Sequence, residues 1–380
     1  MAVSFHPPPR RILVRGVNWL GDAVMTTPAL MRLREKYREA HITLLTPEKL
    51  RDLWRHHPAV DEVIGFEVGE GLFSAGRKLR AGKFDLALVL PNSPRSAMET
   101  WLAYVPQRIG YARSWRNWFL TRAVPTRPGH VQMRKPTARE VRRLVVDPQI
   151  FGGAIAPPES AHQLYEYLHL VTALGANKEP LPPCLVVTPT EVEAAKQKFG
   201  LLESLKSERP LLGLNPGAEY GPAKRWPAER FIAAAREIQG RTNCVWLIFG
   251  GKSDQAVASE IHSALRTPHS ALYNLAGQTS LRELMALLKL CRVLLTNDTG
   301  PMHVAAALGT PVVVPFGSTS PELTGPGLPG DPRHHFLKSD VPCSPCFLRE
   351  CPIDFRCLKG IGIDRAVAAV LAAVQARSRT

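Results

Sequence analysis

The chain lacks any run approaching the roughly 18 consecutive apolar residues that cross a bilayer, and Met1 to Arg11 carries prolines and arginines where a secretory signal would carry an apolar core. A membrane-spanning or exported protein is therefore disfavoured, and a cytoplasmic location is expected. Cysteine is sparse and odd in number, seven in 380 residues, which argues against a disulfide framework and for reduced thiols or a metal. No G-x-G-x-x-G follows the first strand-like run, so a nicotinamide or flavin dinucleotide is disfavoured in the first half. Acidic residues are in the minority: 33 Asp and Glu against 48 Lys and Arg leave a net charge of +15. Such a surplus points to a polyanionic partner, whether nucleic acid, an anionic membrane or a phosphorylated substrate. The excess lies largely in the N-terminal half, with ten Lys and Arg against two Asp and Glu between Trp101 and Ile150. No compact basic helix or aromatic platform of a known nucleic-acid module accompanies it, which counts against nucleic acid.

What is present is an ordinary globular composition, 45% apolar and 21% charged, in a chain too long for one hydrophobic core. Two domains are expected, 1–180 and 181–380, divided at the Pro-rich stretch Glu179 to Pro183. Apolar runs at Arg11–Arg15, Ile42–Leu45, Val63–Ile64, Asp85–Leu90 and Arg108–Tyr111 read as strands with helical segments between them. Leu30, Leu33 and Tyr37 give the first helix its period, with Pro28 either in its first turn or kinking it. Residues 126–158, rich in Arg, Pro and Gly, read as a surface excursion without a fold role. His162–Gly175 has helical spacing. The second half repeats the alternation, with strands at Leu211–Asn215, Val245–Gly250, Val293–Asp298 and Pro311–Phe316. Helices are expected at Pro227–Gln239, Ser253–Leu265, Leu281–Leu290 and Met302–Leu308. The α/β class with two mainly parallel, doubly wound sheets follows, and ligands of such sheets bind at the carboxyl ends of the strands.

Four constellations carry chemistry. Asn18-Trp-Leu-Gly21-Asp22 follows the first strand, where Gly21 permits close backbone approach. Asp22 there is either a functional carboxylate or a helix-dipole partner. Asn215-Pro-Gly217 opens a Gly/Pro-rich loop that ends at Lys224-Arg-Trp-Pro, and Lys224 can supply a point charge to a diphosphate. Asn297-Asp298-Thr299-Gly300-Pro-Met-His303 turns from strand to helix, so backbone N–H groups and the positive helix end converge on one point. Thr299 and Gly300 would touch phosphate, while like charge assigns Asp298 to the loop or a ribose. His303 is a ligand or a structural histidine. Asp254, after Gly250-Gly251, and Gln278-Thr279 would surround the nucleoside. Last, Cys343, Cys346, Cys351 and Cys357 lie within fifteen residues. They suit a structural tetrahedral metal site or reduced, metal-free thiols.

Together, Gly21-Asp22, Asn215-Pro-Gly-Ala with Lys224-Arg-Trp-Pro, Asn297-Asp-Thr-Gly-Pro-x-His303 and the Cys346 to Cys357 tail resemble the bacterial ADP-heptose:lipopolysaccharide heptosyltransferases. The resemblance covers residues 11–375. It implies a GT-B fold, two Rossmann-like domains facing each other across a cleft, with the acceptor on 1–180 and the nucleotide sugar on 181–380. It also implies an inverting transfer of heptose from ADP-heptose to the heptosylated lipopolysaccharide inner core, with no cofactor or catalytic metal. Asp22 would be the general base and Lys224 would stabilise the departing ADP. Arg51, Arg55, Arg108, Arg113 and Arg116 are candidate contacts to the anionic acceptor. A monomer attached peripherally to the inner-membrane surface, without nucleic acid, is expected. The alternatives are a transferase of the same architecture with another donor or heptosyl step, and a basic nucleotide- or nucleic-acid-binding protein without turnover.

Overall fold

A computed structural model of the chain describes residues 5–67, 69–147, 157–206, 209–267 and 271–377. The chain divides into two compact units, Met1–His130 with Ser160–Val186, and Val131–Glu159 with Val187–Thr380. The division thus falls at Val186, against the boundary expected at 180, and residues 131–159 go with the second unit.

The first unit runs β1 (Arg11–Arg15), α1 (Leu20–Lys36), β2 (His41–Pro47), β3 (Glu62–Phe66), α2 (Leu72–Arg80), β4 (Leu86–Val89), α3 (Pro94–Leu102), β5 (Gln107–Tyr111) and β6 (Arg122–Val124). After α4 (Ala138–Val146), which belongs to the second unit, α5 (Leu164–Thr172) returns to lie on α1. All pairings are parallel, in the order β3-β2-β1-β4-β5-β6. Strands covered on both faces need apolar runs rather than alternation, and Ile12, Leu13 and Val14 are fully buried.

Pro28 neither starts nor ends α1 but sits inside it. A proline has no N–H for the carbonyl four residues back, here that of Val24. The hydroxyl of Thr27 donates to that oxygen at 2.8 Å instead. The orphaned acceptor is satisfied, and the helix continues.

The second unit comprises α6 (Pro189–Lys198), α7 (Leu202–Lys206), β7 (Leu211–Asn215), α8 (Ala228–Thr242), β8 (Val245–Ile248), α9 (Gln255–Leu265), β9 (Leu272–Asn274), α10 (Leu281–Leu290), β10 (Val293–Thr296), α11 (Gly300–Ala307), β11 (Val312–Pro315), α12 (Pro321–Thr324), β12 (His335–Leu337), α13 (Arg356–Lys359) and α14 (Ile363–Arg377). Its sheet is also wholly parallel, ordered β12-β11-β10-β7-β8-β9. Numbered from β7, this is the order of the first sheet again, so each unit reverses its winding between its first and fourth strands, which is where doubly wound sheets bind ligands. Trp226, Phe231 and Trp246 fill one face of the second sheet beneath α8 and α14.

The expectation that residues 126–158 have no fold role is corrected for the part described. Thr137 accepts from the N–H of Glu140 and the Glu140 carboxylate accepts from the N–H of Thr137, a reciprocal box that starts α4. Val141 of that helix is buried against Cys343 and Cys346. Residues 148–156 of the segment lie outside the described residues.

Candidate functional site

In the second unit the two crossovers at the winding reversal are sewn together by side chains. Asn215, at the end of β7, donates to the Thr296 hydroxyl at 3.0 Å. Asn297, just past β10, donates to the carbonyl of Pro216 at 2.6 Å and accepts from the N–H of Trp226 at 2.9 Å. The loop from Asn215 to Trp226 is therefore fixed along its length. Lys224 ends it with its ammonium 2.7 Å from Oδ2 of Asp298, and Thr319, from the loop after β11, also donates to that oxygen. Beside this pair, Pro301 occupies the first turn of α11, and the hydroxyl of its N-cap Thr299 makes no capping bond. A positive helix end, an ammonium and an uncommitted hydroxyl thus converge, a constellation suited to phosphate oxygens. His303 is buried on the same helix.

Gly217 is a glycine for a packing reason: a Cβ there would fall 2.3 Å from the Asp254 carboxyl. That carboxyl accepts from the N–H of Gly251 through Oδ2 at 3.0 Å, while Oδ1 is buried without a hydrogen-bond partner. Arg225 Nη2 stands 3.6 Å from that Oδ1, an ion pair without a hydrogen bond, so the oxygen can still accept from a hydroxyl donor such as a ribose. The Gly277 N–H donates to the Gly250 carbonyl at 2.9 Å, which brings the Gln278-Thr279 turn beside the same loop. The Gln278 amide itself is spent on the Asn274 carbonyl at 2.7 Å.

In the first unit, α1 begins with Trp19 as N-cap, so Asp22 lies inside the first turn rather than capping it. Gln163, on the turn before α5, donates to Tyr167 Oη at 2.8 Å and lies 3.4 Å from Asp22 Oδ1. Burial, then the nearby Asp22 charge, pushes the Tyr167 phenol well above its usual range. A neutral amide and a neutral phenol therefore flank the carboxylate. Under the Gly16–Asp22 loop, Arg15 pairs with Glu99 at 2.7 Å and donates to Asn18 Oδ1 at 3.0 Å. Beyond β4, Asn92 accepts from Arg116 at 3.2 Å. The Arg116 guanidinium is wholly buried, with Nε and Nη2 unsatisfied, and burial followed by the charge of Arg113 lowers its pKa to about 10. A buried cation without a carboxylate is a ready anion contact.

Residues 153–355 match the family described as glycosyltransferase family 9 (heptosyltransferase). The chain is 33% identical over 324 residues to lipopolysaccharide heptosyltransferase 2 of Escherichia coli (strain K12), covering 83% of this chain and 85% of that protein. It is 32% identical over 332 residues to lipooligosaccharide heptosyltransferase 2 of Haemophilus ducreyi, covering 83% and 86%. The chain belongs to glycosyltransferase family 9. The solved structure of E. coli ADP-heptose lps heptosyltransferase II superimposes on it with a TM-score of 0.75 at 29% identity, over 97% of this chain and 99% of that one. Its fold class is GT-B, with two Rossmann-like domains, and it is a heptosyltransferase enzyme.

Against this family frame, the structure sorts the expected basic residues. Arg108 stands near the amino end of β5, the edge away from Asp22, and donates to the carbonyls of Phe119 and Val105. Its guanidinium ties the start of β5 to the Phe119 and Val105 carbonyls. Arg51 and Arg55 are exposed and paired one turn away with Glu48 and Asp52. Arg113 donates to Thr126 and to its neighbour's carbonyl.

The four clustered cysteines, Cys343, Cys346, Cys351 and Cys357, lie within electrostatic reach of one another. All seven cysteines are free, and among the described residues no group of three or more His, Cys, Asp or Glu is arranged to hold a metal ion. Cys343 and Cys346 are buried beside Val141, and Cys357, near both, also packs into the core under α14. Burial, chiefly, pushes the Cys357 thiol up to about 12, so it stays protonated and apolar in character. Sequence reasoning missed Gln163, Tyr167 and Thr319, whose partners lie 141 positions from Gln163 in one case and 21 from Thr319 in another. It also missed the Arg15–Glu99 pair. No helix among the described residues is long and apolar enough to cross a membrane.

Proposed function

We propose that this family-9 enzyme transfers the heptose of ADP-heptose to the heptosylated inner core of lipopolysaccharide, the second heptosyl step. The first unit takes the acceptor and the second the donor. Asp22 removes the proton of the acceptor hydroxyl as its oxygen bonds to the anomeric carbon. The bond from that carbon to the β-phosphate oxygen breaks, ADP leaves with the electron pair, and the configuration inverts. Lys224 and the amino end of α11 stabilise the charge gathering on ADP, so the transfer runs without a divalent cation. Asp254 holds the ribose, and Arg116 meets an acidic group of the acceptor. The enzyme works as a monomer on the cytoplasmic face of the inner membrane, drawn by its basic surface.

The assignment of the step rests on the relatives at 32–33% identity, which are named heptosyltransferase 2. The assignment of the donor site is carried by one observation: Lys224, Asp298 and the N-cap of α11 meet at the winding reversal of the second sheet. The test is transfer from ADP-heptose to purified acceptors with and without the first heptose, in chelator. Expected is transfer only to the heptosylated acceptor, with Asp22→Asn lowering kcat about 100- to 10,000-fold while ADP affinity stays within about twofold. Transfer to the unheptosylated acceptor moves the enzyme to another step. Unchanged turnover in Asp22→Asn removes that residue from the mechanism.

A further inference from the structure

Three cations from three separate segments of the second unit gather on one aromatic ring. The ammonium of Lys224 lies 4.9 Å from the centroid of Tyr220, the guanidinium carbon of Arg349 5.2 Å and the ammonium of Lys135 5.7 Å. The ring attracts each of them through its negative face. Yet the three repel one another within about one Debye length, and of the three only Lys224 has a carboxylate, that of Asp298. Lys135 and Arg349 are exposed and form no ion pair among the described residues. A cluster so under-neutralised is complete only with an anion of more than one charge.

The ring and the backbone that carries these cations are held in place before any ligand arrives. The Tyr220 hydroxyl donates to the Phe347 carbonyl at 2.7 Å. The N–H of Ala223 donates to the carbonyl of Arg349 at 3.0 Å, and Gly221 leaves room for that approach, since a Cβ there would sit 2.6 Å from the same oxygen. The N–H of Phe347 donates to Ser318 O at 2.6 Å and Ser344 Oγ donates to Gly317 O at 2.7 Å, fixing the cysteine-bearing segment against the loop that carries Thr319. Lys135 stands two positions before the cap of α4, which is itself pinned by Val141 between Cys343 and Cys346. The basic segment and the buried thiols thus acquire a common purpose as a frame for charges.

We propose that Lys135, Arg349 and Lys224 form a single cationic cage on Tyr220 that grips the diphosphate of a nucleoside-diphosphate ligand. This rests on reading the Lys224 loop as the diphosphate site, and extends that site by two residues that touch neither nucleoside nor sugar. A pinned backbone keeps the three charges close to one ring, and each adds Coulomb attraction to a diphosphate, less the entropy of ordering its own side chain.

The experiment is calorimetric titration of the full chain with ADP and with adenosine, for the wild type, Lys224→Ala, Lys135→Met, Arg349→Met, Arg349→Lys and the exposed control Arg139→Met. Expected is a loss of about 5- to 50-fold in ADP affinity for Lys135→Met and Arg349→Met. Adenosine affinity should be unchanged, Arg349→Lys should recover most of the loss, and Arg139→Met should behave as wild type. If Lys224→Ala weakens ADP while Lys135→Met and Arg349→Met bind it like the wild type, the cage is refuted and the donor reading stands. If ADP and adenosine weaken together, the two residues act by shaping the loop, and the cage is again refuted. A wild type that binds no ADP, or binds it indifferently to Lys224→Ala, removes both readings.

Discussion

The ammonium of Lys224 lies 2.7 Å from Oδ2 of Asp298, and the carboxylate is almost fully buried while the lysine retains a narrow opening. The pair joins the β7–α8 and β10–α11 crossovers across the winding reversal. Lys224→Ala leaves Asp298 with Thr319 as its sole remaining donor of the two that the site supplies. That change should cost about 1–3 kcal/mol of stability and about 10- to 100-fold in ADP affinity. In the double variant Lys224→Ala/Asp298→Asn, stability should recover in part and ADP affinity should not. Urea midpoints and titration calorimetry on the wild type, Lys224→Ala, Asp298→Asn and the double variant read this out. Strictly additive stability losses would mean that the two groups are not coupled.

Arg116 presents the opposite arrangement, a buried cation with an amide for a partner and two nitrogens, Nε and Nη2, unspent. Burying such a group costs stability until an acceptor meets the unspent nitrogens. Arg116→Met should raise the thermal midpoint, by about 1 kcal/mol of stability, while raising KM for the anionic acceptor at least tenfold and leaving ADP affinity alone. A variant that is both less stable and fully active would show that the guanidinium is structural.

Below the Asp22 loop, Arg15 and Glu99 pair with side chains 3% and 2% exposed. Glu99→Gln strands a buried guanidinium and should cost about 3–5 kcal/mol in urea unfolding. Arg15→Met/Glu99→Met removes both charges, so its stability should return to within about 1 kcal/mol of the wild type. Turnover of that double variant should stay low, because Asn18 and the Gly16 carbonyl have lost the donor that holds them. Wild-type turnover in it would free the loop from any dependence on the pair.

How much of this was legible beforehand follows from range and from burial. β1, β7 and β10 are short apolar runs that stop just before Gly16, at Asn215 and just before Asn297, and Asp22, Asn215 and Asp298 stand at or beyond those ends where the alternation of elements puts them. The edge strands β6, β9 and β12 have three residues each, too few for any periodicity to register. α4 hides behind its arginines, since it buries Val141 alone, though Thr137 and Glu140 spell its start. Arg108 and Arg116 look alike in sequence. Only the strand direction separates them, one at the amino edge of β5 and the other folded back beside Asn92. Arg15–Glu99 and Gln163–Asp22 join positions 84 and 141 residues apart, beyond the reach of any local pattern.

Acid should weaken the first unit through His57. Its ring lies edge-on to Trp54 with centroids 5.3 Å apart, Nδ1 accepts from the Ala59 N–H at 3.3 Å, and Nε2 lies 4.0 Å from Cys184 Sγ. Burial lowers its pKa from 6.5 to about 4. The neutral ring is the folded form, so above pH 6.5 the residue adds no pH dependence. Between 6.5 and 4 the unfolded chain takes up a proton that the folded one refuses, and stability falls by about 1.4 kcal/mol per pH unit. Between pH 7.5 and pH 5 the wild type should therefore lose about 2 kcal/mol more than His57→Phe does, measured from urea midpoints at both pH values. Other buried histidines, His334 among them, titrate equally in both proteins, so the difference isolates this one group. Parallel losses in the two proteins would place the acid sensitivity elsewhere.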